Sequence, residues 1–158
     1  MNATTFDTRM PPPRPLHAAH PVHPLRALLL AGGVPLFLGA LLCDLAYSNS
    51  GEVQWKNFAS WLNAGALLLS GLALLWSIVA LVRGDGRRRP ALLAGALLLA
   101  GWILGFVNAL VHAKDAHATL PEGLVLSVIV FVLVAAASWL GLDRDLARDR
   151  VRSVEVRT

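Results

Sequence analysis

Four long runs without a charged residue organise the chain: Ala27 to Cys43, Phe58 to Val82, Pro90 to Val111 and Leu124 to Leu142. Each approaches the ~20 residues, rising ~1.5 Å apiece, that a helix needs to cross ~30 Å of hydrocarbon. A helix in the core of a soluble protein would keep a polar face at 3.6-residue spacing. The stretch "LVLSVIVFVLVAAASWLGL" has no such face. The pattern therefore predicts four membrane-spanning helices, over about residues 24–47, 57–83, 90–115 and 121–142. Connections of about eight residues make successive helices antiparallel, which gives an all-α, up-down-up-down four-helix bundle over residues 24–142. Residues 1–23 hold most of the prolines and no apolar period, so they read as an irregular tail; residues 143–158 form a second, arginine-rich tail.

Glycine and proline add detail to the bundle. Pro24 fits the first turn of the first helix, where its missing N–H costs nothing. Pro35, with Gly32, Gly33 and Gly39, predicts a kinked helix packed closely on a neighbour. On the third helix Gly101, Gly105, Ala109 and Ala113 recur every fourth residue and form a smooth strip. Another helix backbone can approach over it, from the first or fourth helix or from a second subunit.

Composition agrees with this solvent: 56% of residues are hydrophobic and 15% charged. The +4 net charge matters less than where the charges lie. Arg9, Arg14 and Arg26 precede the first run, Arg83, Arg87, Arg88 and Arg89 separate the second from the third, and Arg144, Arg148, Arg150, Arg152 and Arg157 follow the fourth. Only Lys56 and Lys114 fall in the other two connections. The positive-inside bias thus predicts a multi-pass membrane protein with both termini and the "RGDGRRR" loop in the cytoplasm and the first and third connections outside. Arginines beside spans also attract anionic lipid, so the bilayer is the expected partner. Nucleic acid is not, because neither tail interleaves the aromatics of a stacking surface. Cys43 is the single cysteine and excludes an internal disulfide. Leu42 before it does not suit lipobox cleavage, and Cys43 reads as a small buried helix residue.

Polar side chains inside spans are costly and normally face protein or a water-filled cavity. Asp44 and Tyr47 end the first helix, Asn57, Trp61 and Asn63 begin the second, and Asn108 and His112 end the third, all towards the predicted outer side. Asn108, His112 and Asp115 share one face by their i, i+4, i+7 spacing if the helix runs that far. His117 falls off that face. One reading is structural, with Asp44 and Asn57 as caps, Trp55 and Trp61 as interfacial anchors, and Lys114 and Asp115 as a solvated pair. The other is a polar pocket of Asp44, Tyr47, Asn63, Asn108, His112 and Asp115 that takes a proton, a cation or a small polar ligand. His112 is then the titratable member.

Haem or a metal would need histidines to converge. His17, His20 and His23 sit at the entrance of the first helix, whereas His112 and His117 lie across the ~30 Å core. Zinc on His112, Asp115 and His117 rests on generic ligand types only. Serine-nucleophile, phosphate-loop and CxxC signatures are absent from the sequence.

Three stretches, "HPVHPLRALLLAGGVPLFLGALLCDLAY", "QWKNFASWLNAG" and "GFVNALVHAKDAHATLPEGLVLS", occur in that order. Over about residues 20–142 the chain resembles the DUF2231 family of predicted bacterial inner-membrane proteins. The tandem His-Pro entrance (His20, Pro21, His23, Pro24), the Gln54, Trp55, Asn57 and Trp61 segment and the Asn108 to Asp115 run carry the resemblance. It implies four spans and no assigned activity. Family members often place a histidine near the cytoplasmic start of the third helix, opposite the His-Pro motif; here that stretch is "RRRPALLAGALLLAGW", without one.

The expected molecule is a small non-enzymatic inner-membrane protein, a homo-oligomer or an accessory subunit of a membrane complex, with no cofactor and a polar cluster near its periplasmic face. A haem- or metal-binding redox protein, with His20, His23, His112 and His117 as ligand candidates, is the alternative. An oligomeric channel or transporter subunit is a third class, and its pore would have to form between subunits.

Overall fold

A computed structural model describes the backbone of residues 24–83, 88–114 and 119–155, with side chains described over 25–83, 91–114 and 119–142. It contains four helices: α1 (Pro24–Ser50), α2 (Val53–Val82), α3 (Arg88–His112) and α4 (Glu122–Glu155). Segments long and apolar enough to cross a membrane are Leu25–Ser50, Val53–Val82, Ala91–His112 and Glu122–Leu142. The helices form a ring in which α1 packs on α2 and α4, and α3 packs on α2 and α4.

Helix ends differ from the sequence expectation in three places. The first connection shrinks from about eight residues to Gly51 and Glu52. Gly51 takes φ 70° and its N–H donates to Tyr47 O at 2.8 Å, a left-handed stop for which glycine has no Cβ penalty. Ser48 and Ser50 donate their hydroxyls, and Asn49 its amide, to Leu45 O and Ala46 O one turn back, so polar residues that read as loop continue α1 instead. The third helix stops at His112 rather than 115, and the fourth runs on to Glu155, through residues expected to be a separate tail.

Each helix turns a stripe at 3–4-residue spacing towards the ring centre. The stripes are Leu29, Leu30, Gly33, Phe37, Ala40, Asp44 and Tyr47 on α1; Ala59, Asn63, Ala66, Ser70 and Ala73 on α2; Ala94, Leu98, Gly101, Gly105, Asn108 and His112 on α3; and Gly123, Ser127, Val130, Val134 and Ala137 on α4. These positions are small or polar as often as apolar, while Trp61, Leu68, Val82, Leu110 and Trp139 point outward and are exposed. In water that distribution would strand a large apolar surface. Against lipid it is the expected arrangement, because small residues let helix backbones approach and large ones meet acyl chains.

Close approaches mark the contacts. A Cβ on Gly101 would lie 2.7 Å from Val134 Cγ2 of α4, while one on Gly105 would lie 3.1 Å from Leu67 Cδ2 of α2 and 3.4 Å from the Phe37 ring of α1. The predicted small-residue strip on α3 is thus shared among three neighbours rather than given to one. Ala109 is half-buried and Ala113, beyond the helix end, is exposed. Gly32 and Gly39 of α1 sit beneath Leu69 and Leu62 of α2, at 3.1 and 3.2 Å from an added Cβ. Mid-bundle, Phe37, Ala66, Leu98, Val130 and Val134 form a buried apolar core.

Candidate functional site

The end of the bundle where α1 and α3 finish and α2 and α4 begin gathers most of the buried polar residues among those described, Ser70 and Ser138 lying elsewhere. Asp44 is 2% exposed, Asn63 0%, Asn108 1% and His112 4%. Ser127, Tyr47 and Thr119 are buried with them.

Four of these side chains close a hydrogen-bonded circuit over three helices. His112 Nε2 meets Asp44 Oδ1 at 2.7 Å, joining α3 to α1 across the diagonal of the ring. Ser127 Oγ of α4 donates to the other carboxylate oxygen, Asp44 Oδ2. Asn108 Nδ2 donates to Ser127 Oγ at 2.8 Å. His112 Nδ1 lies 2.9 Å from Asn108 O, one turn back on its own helix. Around this circuit every polar contact is directional, and the chain has arranged it from side chains spaced one helical turn apart: Asn108 and His112 on α3, and Asp44 opposite.

The proton inventory follows from these partners. A backbone carbonyl only accepts, so His112 Nδ1 carries a hydrogen. Nε2 faces a carboxylate, leaving two arrangements of a single proton: imidazolium with carboxylate, or neutral imidazole with carboxylic acid. Both leave the pair with no net charge, which is the condition for holding ionisable groups in a low-dielectric interior.

Gly123, in the first turn of α4, makes room for the ring. A Cβ there would stand 3.1 Å from His112 Cε1 and 2.9 Å from Thr119 Cγ2. Asn63 belongs to the same level but not to the circuit: its Nδ2 donates to Gly105 O at 3.2 Å, tying α2 to α3. The Oδ1 atoms of Asn63 and Asn108 are buried without a hydrogen-bond partner, so each is an acceptor open to a small donor such as water.

Above His112 a pocket of about 370 Å³ opens among the first two turns of α2, with Gln54, Lys56, Asn57 and Ser60 as polar lining. Lys56 Nζ donates to Lys114 O at 2.6 Å across its rim, and Lys114 reaches Glu122 at 3.6 Å.

Of the six residues expected to make a polar pocket, Asp44, Asn108 and His112 are joined directly. Tyr47 is buried one turn from Asp44, Asn63 turns to the α3 backbone, and Asp115 lies outside the described residues. Ser127, which completes the circuit, was missed, as was the Lys56 rim. Serines in apolar helices usually bond back to their own helix, as Ser60, Ser70 and Ser77 do here, so the sequence carries no signal that Ser127 reaches outward instead.

Among the metal candidates, His20, His23 and His117 lie outside the described residues, and both ring nitrogens of His112 are engaged by Asn108 and Asp44. Among the described residues no three His, Cys, Asp or Glu side chains gather as metal ligands would.

A sequence profile described as "Predicted membrane protein (DUF2231)" matches residues 19–152. No curated protein and no solved structure matches the chain.

Proposed function

The chain belongs to DUF2231, a family of predicted membrane proteins, and from that premise we propose that it is a small, non-enzymatic inner-membrane protein whose working part is the proton shared by Asp44 and His112. Both termini lie in the cytoplasm and the circuit faces the periplasm, as the arginine distribution favours. The observation that carries the reading is the 2.7 Å contact of His112 Nε2 with Asp44 Oδ1, both buried, at the floor of an open pocket.

Adding a proton to this pair, or removing one, creates a net charge where none is solvated, so exchange is tied to whatever enters the pocket or moves the helix ends. The apolar core of Phe37, Val130 and Val134 lies beneath. Those side chains offer a proton no polar atom, and Ser70, buried on α2 between Ala66 and Ala73, commits its hydroxyl to Ala66 O. A site reached from one side suits a sensor or an accessory subunit better than a conducting path within one chain.

Histidine-labelled protein in lipid nanodiscs tests the reading by ¹⁵N NMR, with His112 assigned from the signals lost in His112→Gln. Nδ1 is expected to carry a hydrogen and Nε2 to show the signature of a hydrogen bond to a carboxyl group, a signature that Asp44→Asn should change. An imidazole whose two nitrogens behave as those of a free side chain, indifferent to Asp44, overturns it. Reporter fusions at either terminus check orientation, and periplasmic signal from both reverses it.

A further inference from the structure

We propose that the pocket over His112 binds a phosphate-bearing anion, an occupant that the proton-holding reading neither requires nor supplies. The lining is the first observation. Its ionisable lining residues are Lys56 and His112, the latter bonded to Asp44, and among the described residues no acid lines the cavity. The second is how Lys56 is held. Its bond to Lys114 O fixes the ammonium over the mouth, uses one of three N–H donors, and leaves its charge unneutralised because a carbonyl bears none. The ion pairs between described residues, Asp44 with His112 and Lys114 with Glu122, do not include it.

Neutral donors stand beside that charge. The amides of Gln54 and Asn57 line the same wall, and both residues are exposed, so their N–H groups can turn to a ligand. The Ser60 hydroxyl donates to Lys56 O and is left as an acceptor. Both His112 nitrogens are committed, so His112 acts on a ligand through charge alone. The α2 end adds a favourable field, since its first turn holds no acid and the Glu52 side chain does not cap it. An ammonium and two amides meet the several oxygens of a phosphate group, whereas an amine ligand would find no counter-charge among the described lining residues.

Volume narrows the class further. About 370 Å³ lies in the range of small-molecule pockets, roughly 300–1,000 Å³, and exceeds what a bare oxyanion fills. Val53 and Phe58 supply an apolar wall for the part attached to the phosphate. A phospholipid head group and a soluble phosphomonoester share this chemistry.

Two probes separate the sources. Native mass spectrometry of the detergent-purified full chain reads retention of phosphatidylglycerol against phosphatidylcholine, and tryptophan fluorescence reads titration with glycerol 3-phosphate, Trp55 standing next to Lys56 in sequence. Phosphatidylglycerol retained over phosphatidylcholine with no response to glycerol 3-phosphate identifies a lipid head group. A saturable response to glycerol 3-phosphate identifies a soluble anion, and both together identify a site open to either. In each case Lys56→Gln should weaken binding about tenfold or more, as loss of a hydrogen bond to a charged group does. Lys56→Arg should retain most of it, and Asn57→Asp, at an exposed position that folding tolerates, should weaken it by repulsion. Binding that ignores both Lys56→Gln and Asn57→Asp, or no binding of either probe, overturns the proposal.

Discussion

Replacing Asp44 by alanine or by asparagine separates what the circuit does for stability from what it does with a proton. Alanine removes two buried acceptors, one for His112 Nε2 and one for Ser127 Oγ. Hydrogen bonds to charged groups contribute about 1.5–3 kcal/mol each, and breaking a buried ion pair by deleting one partner costs about 3–5 kcal/mol, so the two routes to the estimate agree. Hydrogen bonds between membrane helices average only about 0.6 kcal/mol and reach about 1.7 in double-mutant cycles. Asp44→Ala should therefore cost about 3 kcal/mol, towards the lower end of the soluble-protein range.

Asparagine is different. With Nδ1–H fixed on Asn108 O, neutral His112 presents Nε2 as an acceptor, and an amide at position 44 can donate to it while its oxygen still receives Ser127. Every bond of the circuit survives without charge, so Asp44→Asn should cost about 1 kcal/mol or less. Reversible unfolding in mixed micelles of rising SDS fraction, followed by circular dichroism, measures both variants against wild type. Equal destabilisation by alanine and asparagine refutes the argument, because it means that charge rather than hydrogen bonding holds these helix ends together. Loss of less than about 1 kcal/mol in Asp44→Ala refutes it from the other side, since no buried partner would then have been stranded.

Two further comparisons use the same assay. Gly101→Ala drives a Cβ to 2.7 Å from Val134 Cγ2 and should cost about 1–3 kcal/mol by overpacking, whereas Gly95→Ala meets nothing within 4 Å and should gain up to about 1 kcal/mol of helix propensity; the same sign for both would contradict the packing. Each of Asn63→Leu and Asn108→Leu removes an unpartnered buried oxygen; Asn63→Leu otherwise removes only a donor to a helix carbonyl, Gly105 O, and should be nearly neutral, while Asn108→Leu strips Ser127 of a donor within the Asp44 circuit and should cost about 1–3 kcal/mol. The reverse order would move the centre of the polar cluster from α3 and α4 to α2.

Periodicity and span length made the four helices legible, because ~20 apolar residues have few other uses. Their ends were less so. Ser48, Asn49 and Ser50 look like loop residues by type, and nothing local reveals that each side chain will bond back to a carbonyl of its own helix. The run through residues 143–155 has acids and bases three positions apart, Asp145 to Arg148 and Asp149 to Arg152, a spacing that supports a solvated helix but reads equally as a charged tail. Within the site, Asp44, Asn108 and His112 were visible because an ionisable or amide group in an apolar run is expensive and needs a partner. Ser127 was not, since a hydroxyl can satisfy itself within its own helix. The pocket escaped notice for another reason: Gln54, Lys56 and Asn57 are ordinary at a helix start, and only the fold sets them over His112.

The site and the apolar middle of the bundle are two sides of one constraint. Asp44 can be buried because His112 and Ser127 satisfy both its oxygens. His112 can be buried because Asn108 O fixes the proton on Nδ1 and Gly123 leaves space for the ring. Withdraw any of these and a charge or an unpaired donor is left where water is scarce. On the two proposals made above, a negative group seated near Lys56 would favour the arrangement with the proton on His112, because His112 lines the pocket and Asp44 does not. A ligand's charge would then set where one proton rests, whereas Phe37, Val130 and Val134, having no polar atoms in their side chains, cannot pass that proton further.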